Sequence, residues 1–142
     1  MEITLVDQIT DEIEEAFKRL VPQLSASAKI PGREELQEIA DNDSLFIARD
    51  PEQAGKILGS LTLVTFRIPT GVRAWIEDVV VDEAARGKGT GEALTQAALD
   101  RARELGAKTV DLTSRPTREA ANRLYQRVGF ELRHSNLYRY TL

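Results

Sequence analysis

The sequence predicts an α/β (α+β) fold in one domain, residues 1–142, with a mixed central sheet of about seven strands and four helices in the order β-α-α-β-β-β-α-β-α-β-β. Three observations predict it. Between residues 44 and 82, apolar runs are separated by short stretches rich in Asp, Gly, Pro and Thr, the pattern of strands joined by tight turns. Four stretches place their apolar residues at helical spacing. One of those, residues 89–105, lies between two strand-like runs, which calls for a right-handed crossover and a parallel pair.

The elements follow in order. Residues 2–6 read as a short first strand. Residues 7–20 read as a helix, with Ile9, Ile13, Phe17 and Leu20 at helical spacing and acids in its first turns. Pro22 is expected to stop it. Residues 21–32 are rich in Ser, Ala, Pro and Gly and read as a loop. A second helix fits residues 32 or 33 to 40, with Leu36 and Ile39 inward, and Asp41-Asn42-Asp43 reads as a turn. Strands are expected at 44–49, 56–67 and 72–82, turned at 50–55 and 69–71, as an antiparallel meander. Residues 89–105 form the strongest helix, and Gly106 suits the position after its last turn. A strand at 108–113, a helix from 116 or 117 to 128, and a terminal hairpin of residues 130–133 and 137–142 complete the chain.

Composition narrows the chemistry. With 142 residues, 42% hydrophobic and 30% charged, the chain is of ordinary globular type and large enough for a real core. It has no cysteine, which excludes disulfides, a thiol nucleophile and Cys-ligated metals. The single histidine, His134, argues against a histidine-rich metal site, and no metal is expected. The net charge of −4 is unevenly placed: residues 1–83 hold 8 Lys/Arg against 17 Asp/Glu, and residues 84–142 hold 11 against 6. A polyanionic ligand favours the basic half. The acidic total argues against general nucleic-acid binding. No signal-peptide pattern and no membrane-length apolar run is read, so a cytoplasmic location is the expectation.

The chain is organised around residues 79–91, VVVDEAARGKGTG. Gly87, Gly89 and Gly91 alternate with Lys88 and Thr90 directly before the strongest helix. Glycines let the backbone approach a ligand closely, and a helix start presents unpaired N–H groups and partial positive charge. Arg86 and Lys88 add full charges. The combination is an anion cradle suited to phosphate or pyrophosphate. A Walker A loop needs Ser or Thr after Gly-Lys, but Gly89 follows Lys88. A Rossmann fingerprint starting at Gly87 would meet Glu92 at its third glycine.

The order of elements, the Arg86-x-x-Gly89-x-Gly91 loop, and the later Leu124-Tyr125-x-x-Val128-Gly129-Phe130 together resemble the GCN5-related N-acetyltransferase superfamily over nearly the full chain. The resemblance implies a GNAT-like fold, acetyl-CoA as donor and a primary amine as acceptor. It implies that Arg86, Gly87, Lys88, Gly89, Thr90 and Gly91 hold the pyrophosphate. Val79 and Val81 match the positions that pair with the pantetheine arm, and the Val79 N–H the group that polarises the thioester carbonyl.

Glu77 matches the family's catalytic glutamate, and is expected to take the ammonium proton, through water. Period-2 alternation puts Arg73, Trp75, Glu77, Val79 and Val81 on one strand face and the adjacent Asp78 on the other. Tyr125 matches the family's tyrosine general acid. Asn122 shares its helix face and is expected to bond the cofactor, although many family members carry Asn nearer the helix start, where this chain has Arg118. The acceptor side is expected to involve residues 24–33 and 135–138, with Trp75, Asn136 and Tyr138 lining it. The acidic N-terminal half suits a cationic amine. Without a cysteine to carry the acetyl group, direct transfer in a ternary complex is the expectation, with a small-molecule acceptor favoured and the protein a monomer or homodimer. A non-catalytic acyl-CoA-binding or regulatory module on the same fold is the alternative.

Overall fold

The computed structural model describes all of residues 1–142. Strand β1 (Glu2–Leu5) is followed by helices α1 (Asp11–Leu24) and α2 (Arg33–Asn42). Strands β2 (Ser44–Asp50), β3 (Lys56–Ile68) and β4 (Gly71–Val81) then run as a meander. Helix α3 (Thr90–Glu104), strand β5 (Val110–Asp111) and helix α4 (Glu119–Val128) complete the regular structure. The sheet order is β1-β2-β3-β4-β5, with antiparallel pairs up to β4 and a parallel β4–β5 pair, as the crossover through α3 requires.

Each sheet face builds its own core. Ile13, Leu20 and Leu36 of α1 and α2 cover Leu45, Ile47, Ile57 and Val80. Leu94, Ala98 and Ala102 of α3 cover Phe46, Leu61, Leu63, Ala74 and Ile76 on the other face. Each fully buried Leu or Ile contributes about 1.5–3 kcal/mol relative to exposure. The small alanines of α3 let that helix lie close to the sheet, which fixes where its N-terminus points.

Three expectations need correction. The first helix starts at Asp11, capped by Thr10, whose Oγ1 accepts the Ile13 N–H at 3.2 Å, and it runs through Pro22 to Leu24. Pro22 withholds one donor near the helix end, but the Ser25 N–H to Val21 O bond closes the last turn, and Gln23 Nε2 donates to Arg19 O. The sheet has five strands, not about seven. β5 ladders with β4 only at Ala74↔Val110 and Trp75↔Asp111, so it offers no long edge for further pairing. Residues 130–142 form no strand, and Leu132, Leu137, Tyr138, Tyr140 and Leu142 stay exposed.

The third correction concerns β4. Ser60 pairs Val80 and Thr62 pairs Glu77, so Leu61 alone stands opposite Asp78 and Val79. This is a bulge, and Asp78 adopts φ +48° to make it. An extra residue reverses the inside–outside alternation beyond it. Before the bulge, Ala74 and Ile76 face α3; after it, Val80 joins the core under α1 and α2, while Val79 packs on the α3 side. Arg73, Trp75 and Glu77 therefore share one face, and Val79 and Val81 lie on the other, contrary to the simple period-2 expectation.

Candidate active site

Past the Trp75↔Asp111 pair, β4 and β5 no longer ladder. A cleft of about 1010 Å³ opens there. Val79, Val80 and Val81 line it from β4, Arg86 and Gly91 from the glycine loop, and Leu124 and Tyr125 from α4. Gln23 and Leu24 at the end of α1 reach it from the opposite sheet face, so the cleft passes through the split in the sheet. Its charged lining is Arg86, Arg115, Arg118 and Arg139 against Glu119 alone, a strongly cationic set.

The loop leads from the end of β4 into α3. Asp82 begins it, its Oδ1 accepting the Ala84 N–H at 3.0 Å. Arg19 of α1 holds the other carboxylate oxygen at 2.9 Å and also donates to Ile57 O. Burial works against the Asp82 charge, but the Ala84 N–H and the Arg19 guanidinium outweigh it, and the carboxyl titrates below its ordinary range. Gln23 Oε1 accepts the Glu83 N–H at 3.0 Å. Gly87 and Gly89 take φ +81° and +75°, conformations that side-chain-bearing residues rarely adopt, and no atom lies within 4 Å of where a Cβ would sit on either. Gly91, in the first turn of α3, faces Leu124 of α4: a Cβ there would lie 3.4 Å from Leu124 Cδ1. Thr90 is buried, with its Oγ1 unpaired.

The remaining sequence candidates divide. Tyr125 lines the cleft, and its ring meets Phe130 edge-on at 5.7 Å and 70°. Burial pushes its phenol above the ordinary value, opposed by Arg118, so it holds its proton at neutral pH. Glu77 is exposed on the other face of β4 beside Thr62 and does not line the cleft. Trp75 sits between Val64 and Asp111 in the sheet, on the Glu77 face. Asn122 Nδ2 donates to Arg115 O at 3.0 Å, tying α4 to the loop before it. Asn136 Nδ2 donates to Tyr138 Oη at 3.4 Å, and both side chains are exposed. Their neighbours Leu137 and Arg139 line the cleft instead.

Lys88 Nζ is directed to Asp50 Oδ2 at 3.5 Å. Sequence reasoning misses Asp50, as it misses Gln23, Ser114 and Arg115, because proximity to the loop arises only on folding. Ser114 lines the cleft with its Oγ buried and unpartnered.

The donor set fits coenzyme A. Backbone amides free of flanking side chains, a helix start and several guanidinium groups suit a phosphate-rich ligand, and the unladdered edge of β4 suits an amide-bearing arm.

The model of the acetyltransferase (GNAT) family matches residues 6–130. The chain belongs to the GNAT acetyltransferase family. Among its relatives is a probable glucosamine 6-phosphate N-acetyltransferase 2 of Oryza sativa subsp. japonica, 32% identical over 127 residues, covering 82% of this chain and 75% of the relative. N-alpha-acetyltransferase 30 of Schizosaccharomyces pombe is 38% identical over 73 residues, 51% of this chain and 48% of that protein, so the match spans about half its length. A solved Trypanosoma brucei acetyltransferase superposes with a TM-score of 0.76 at 27% identity, covering 99% of both chains. GNAT members are acetyl-CoA-dependent N-acetyltransferases, and in this chain residues of the glycine loop, the split in the sheet and Tyr125 meet at one cleft. None of its helices is long and apolar enough to cross a membrane.

Proposed function

We propose that the protein moves an acetyl group from acetyl-CoA to the amine of a small molecule by direct transfer, with both partners bound at once. The observation that carries this reading is the cleft through the β4–β5 split, which gathers Val79–Val81, Arg86 and Tyr125 around one passage. When bound, acetyl-CoA supplies the acyl group in activated thioester form. The amides of Gly87, Lys88, Gly89, Thr90 and Gly91, with Arg86, would hold its phosphates. The main chain at Val79 and Val81 would align its arm, with the Val79 N–H donating to the acyl oxygen. Tyr125 would hold a proton at Oη for the departing thiolate. Its burial, which raises the phenol pKa, supports that role.

Glu77 would receive the acceptor's ammonium proton through water, at the mouth facing α1 and α2. Gln23, Leu24 and Val80 line the cleft from that side, which supports a passage between the two groups. Trp75, on the same strand face, would flank the acceptor. Asn122, Asn136 and Tyr138 act through the local bonds they make. The cationic lining favours an acceptor that carries an anionic group, such as a phosphorylated amino sugar, over a polycation. The name of the rice relative points the same way.

The position of Glu77 outside the cleft favours a second reading, an acyl-CoA-binding module without turnover. Thiol release from acetyl-CoA across a panel of amino sugars, their phosphates, polyamines and peptide N-termini separates the two. Acceptor-dependent release with the mass gain of one acetyl group on one amine supports the enzyme. Saturable CoA binding without turnover on any of them supports the module.

A further inference from the structure

Between buried Ala85 and buried Thr90, the four residues Arg86, Gly87, Lys88 and Gly89 are all exposed. The two glycines have no packing neighbour, and a glycine-rich segment has the most backbone freedom to lose on ordering. One side-chain attachment holds the middle of this span: Lys88 Nζ on Asp50 Oδ2. Asp50 is a fixed post. It is the last residue of β2 and is buried; its Oδ1 accepts the Glu52 N–H and its Oδ2 the Gln53 Nε2–H, both at 2.9 Å. The loop's two ends are set by neighbouring structure, by Arg19 and Gln23 of α1 at one end and by α3 at the other.

We propose that Asp50 is a positioning residue for the cofactor: through Lys88 it tethers the phosphate loop to the end of β2, so that the loop amides are arranged before the ligand arrives. Lys88 then acts by where it is held, and not as a free phosphate ligand. Pre-arranging a flexible loop lowers the ordering cost of binding. The role assigned to the ligand rests on the function proposed above; the tether itself does not.

The test uses the full chain with Asp50→Asn, Lys88→Met and the double variant. Asn retains an oxygen for the Glu52 N–H while losing the charge that holds Lys88. Without ligand, NMR order parameters of the amides of residues 86–89 are expected to be lower in all three variants than in the wild type. Titration with CoA is expected to show dissociation constants raised about 2- to 5-fold in each single variant, the size of one partly exposed ion pair. The double variant is expected to be no weaker than the weaker single one, and in Asp50→Asn the loss is expected in KM for acetyl-CoA rather than in kcat. Unchanged order parameters in Asp50→Asn overturn the tether. So does CoA binding that tightens in Asp50→Asn while it weakens in Lys88→Met, because Lys88 is then a direct phosphate ligand and Asp50 its competitor. Lower order parameters in the variants, together with a wild type that does not bind CoA, sustain the tether and overturn the assigned ligand.

Discussion

Replacing Tyr125 with Phe isolates one oxygen atom. The hydroxyl makes no hydrogen bond to the protein in this structure, and the ring's edge-on packing with Phe130 survives the change. That aromatic pair is worth about 0.5–1.5 kcal/mol beyond its area, and Phe keeps it. Stability should therefore move by no more than about 0.5 kcal/mol. If Oη delivers the proton, turnover should fall about 10²-fold or more, the size of a general acid's contribution. At about 1.36 kcal/mol per decade, that is about 2.7 kcal/mol of barrier from an atom that contributes almost nothing to folding.

The assay is free-thiol release at saturating acetyl-CoA and acceptor, with a melting curve and CoA titration on the same preparation. Tyr125→Leu serves as the contrast, since it loses both the hydroxyl and the ring pair and should melt lower. In the wild type, the raised phenol pKa keeps the proton in place, so no loss of kcat below about pH 10 should trace to this group. Tyr125→Phe with turnover within about twofold of wild type would refute the proton-delivery reasoning.

Glu77→Gln should lower turnover at pH 7 by about 10²-fold and recover as the pH approaches the acceptor's own pKa; a flat deficit across pH would remove the proton-acceptor role. Gly59→Ala should cost about 1–3 kcal/mol in urea titration, because the new Cβ would meet Leu94 Cδ1, Thr90 Cγ2 and the Val80 carbonyl oxygen, each at 3.2 Å. Because Thr90 opens α3, the same variant should also raise KM for acetyl-CoA. The depressed Asp82 carboxyl stabilises the fold fully above the unfolded-state value of about 3.9, and that stability is lost as pH falls through its lower folded value. Arg19→Met should therefore lower the melting temperature at pH 6 and shrink the further drop on acidification to pH 3. An unchanged acid drop would show that the Arg19–Asp82 pair does not carry it.

Much of this site is written locally. The glycine loop, the apolar strand before it and the helix after it occupy consecutive residues, so turn chemistry and periodicity reveal them without any knowledge of the fold. Tyr125 is reached through the family resemblance that the Tyr125-x-x-Val128-Gly129-Phe130 run carries, and it lines the cleft. What escapes depends on partners far away in the chain. The bulge at Asp78 follows from the register against Leu61, which no window along β4 contains. Pro22 continues a helix because other bonds close the final turn. The C-terminal run has strand-like alternation, but a strand exists only with a neighbour, and β5 ladders over two residues. Lys88 reads as a free cation because Asp50 lies 38 positions earlier in the numbering.

The bulge at Asp78 also divides β4 into two segments with separate histories open to them. Upstream, Arg73, Trp75 and Glu77 lie on the face under α1 and α2; downstream, Val79 and Val81 lie on the α3 face. Substitutions at Arg73, Trp75 or Glu77 therefore leave the Val79–Val81 wall of the cleft unchanged. Deleting residue 78 would leave Glu77 and Val79 on opposite faces as direct neighbours in a regular strand, so what the extra residue supplies is the local bend and twist between the two segments.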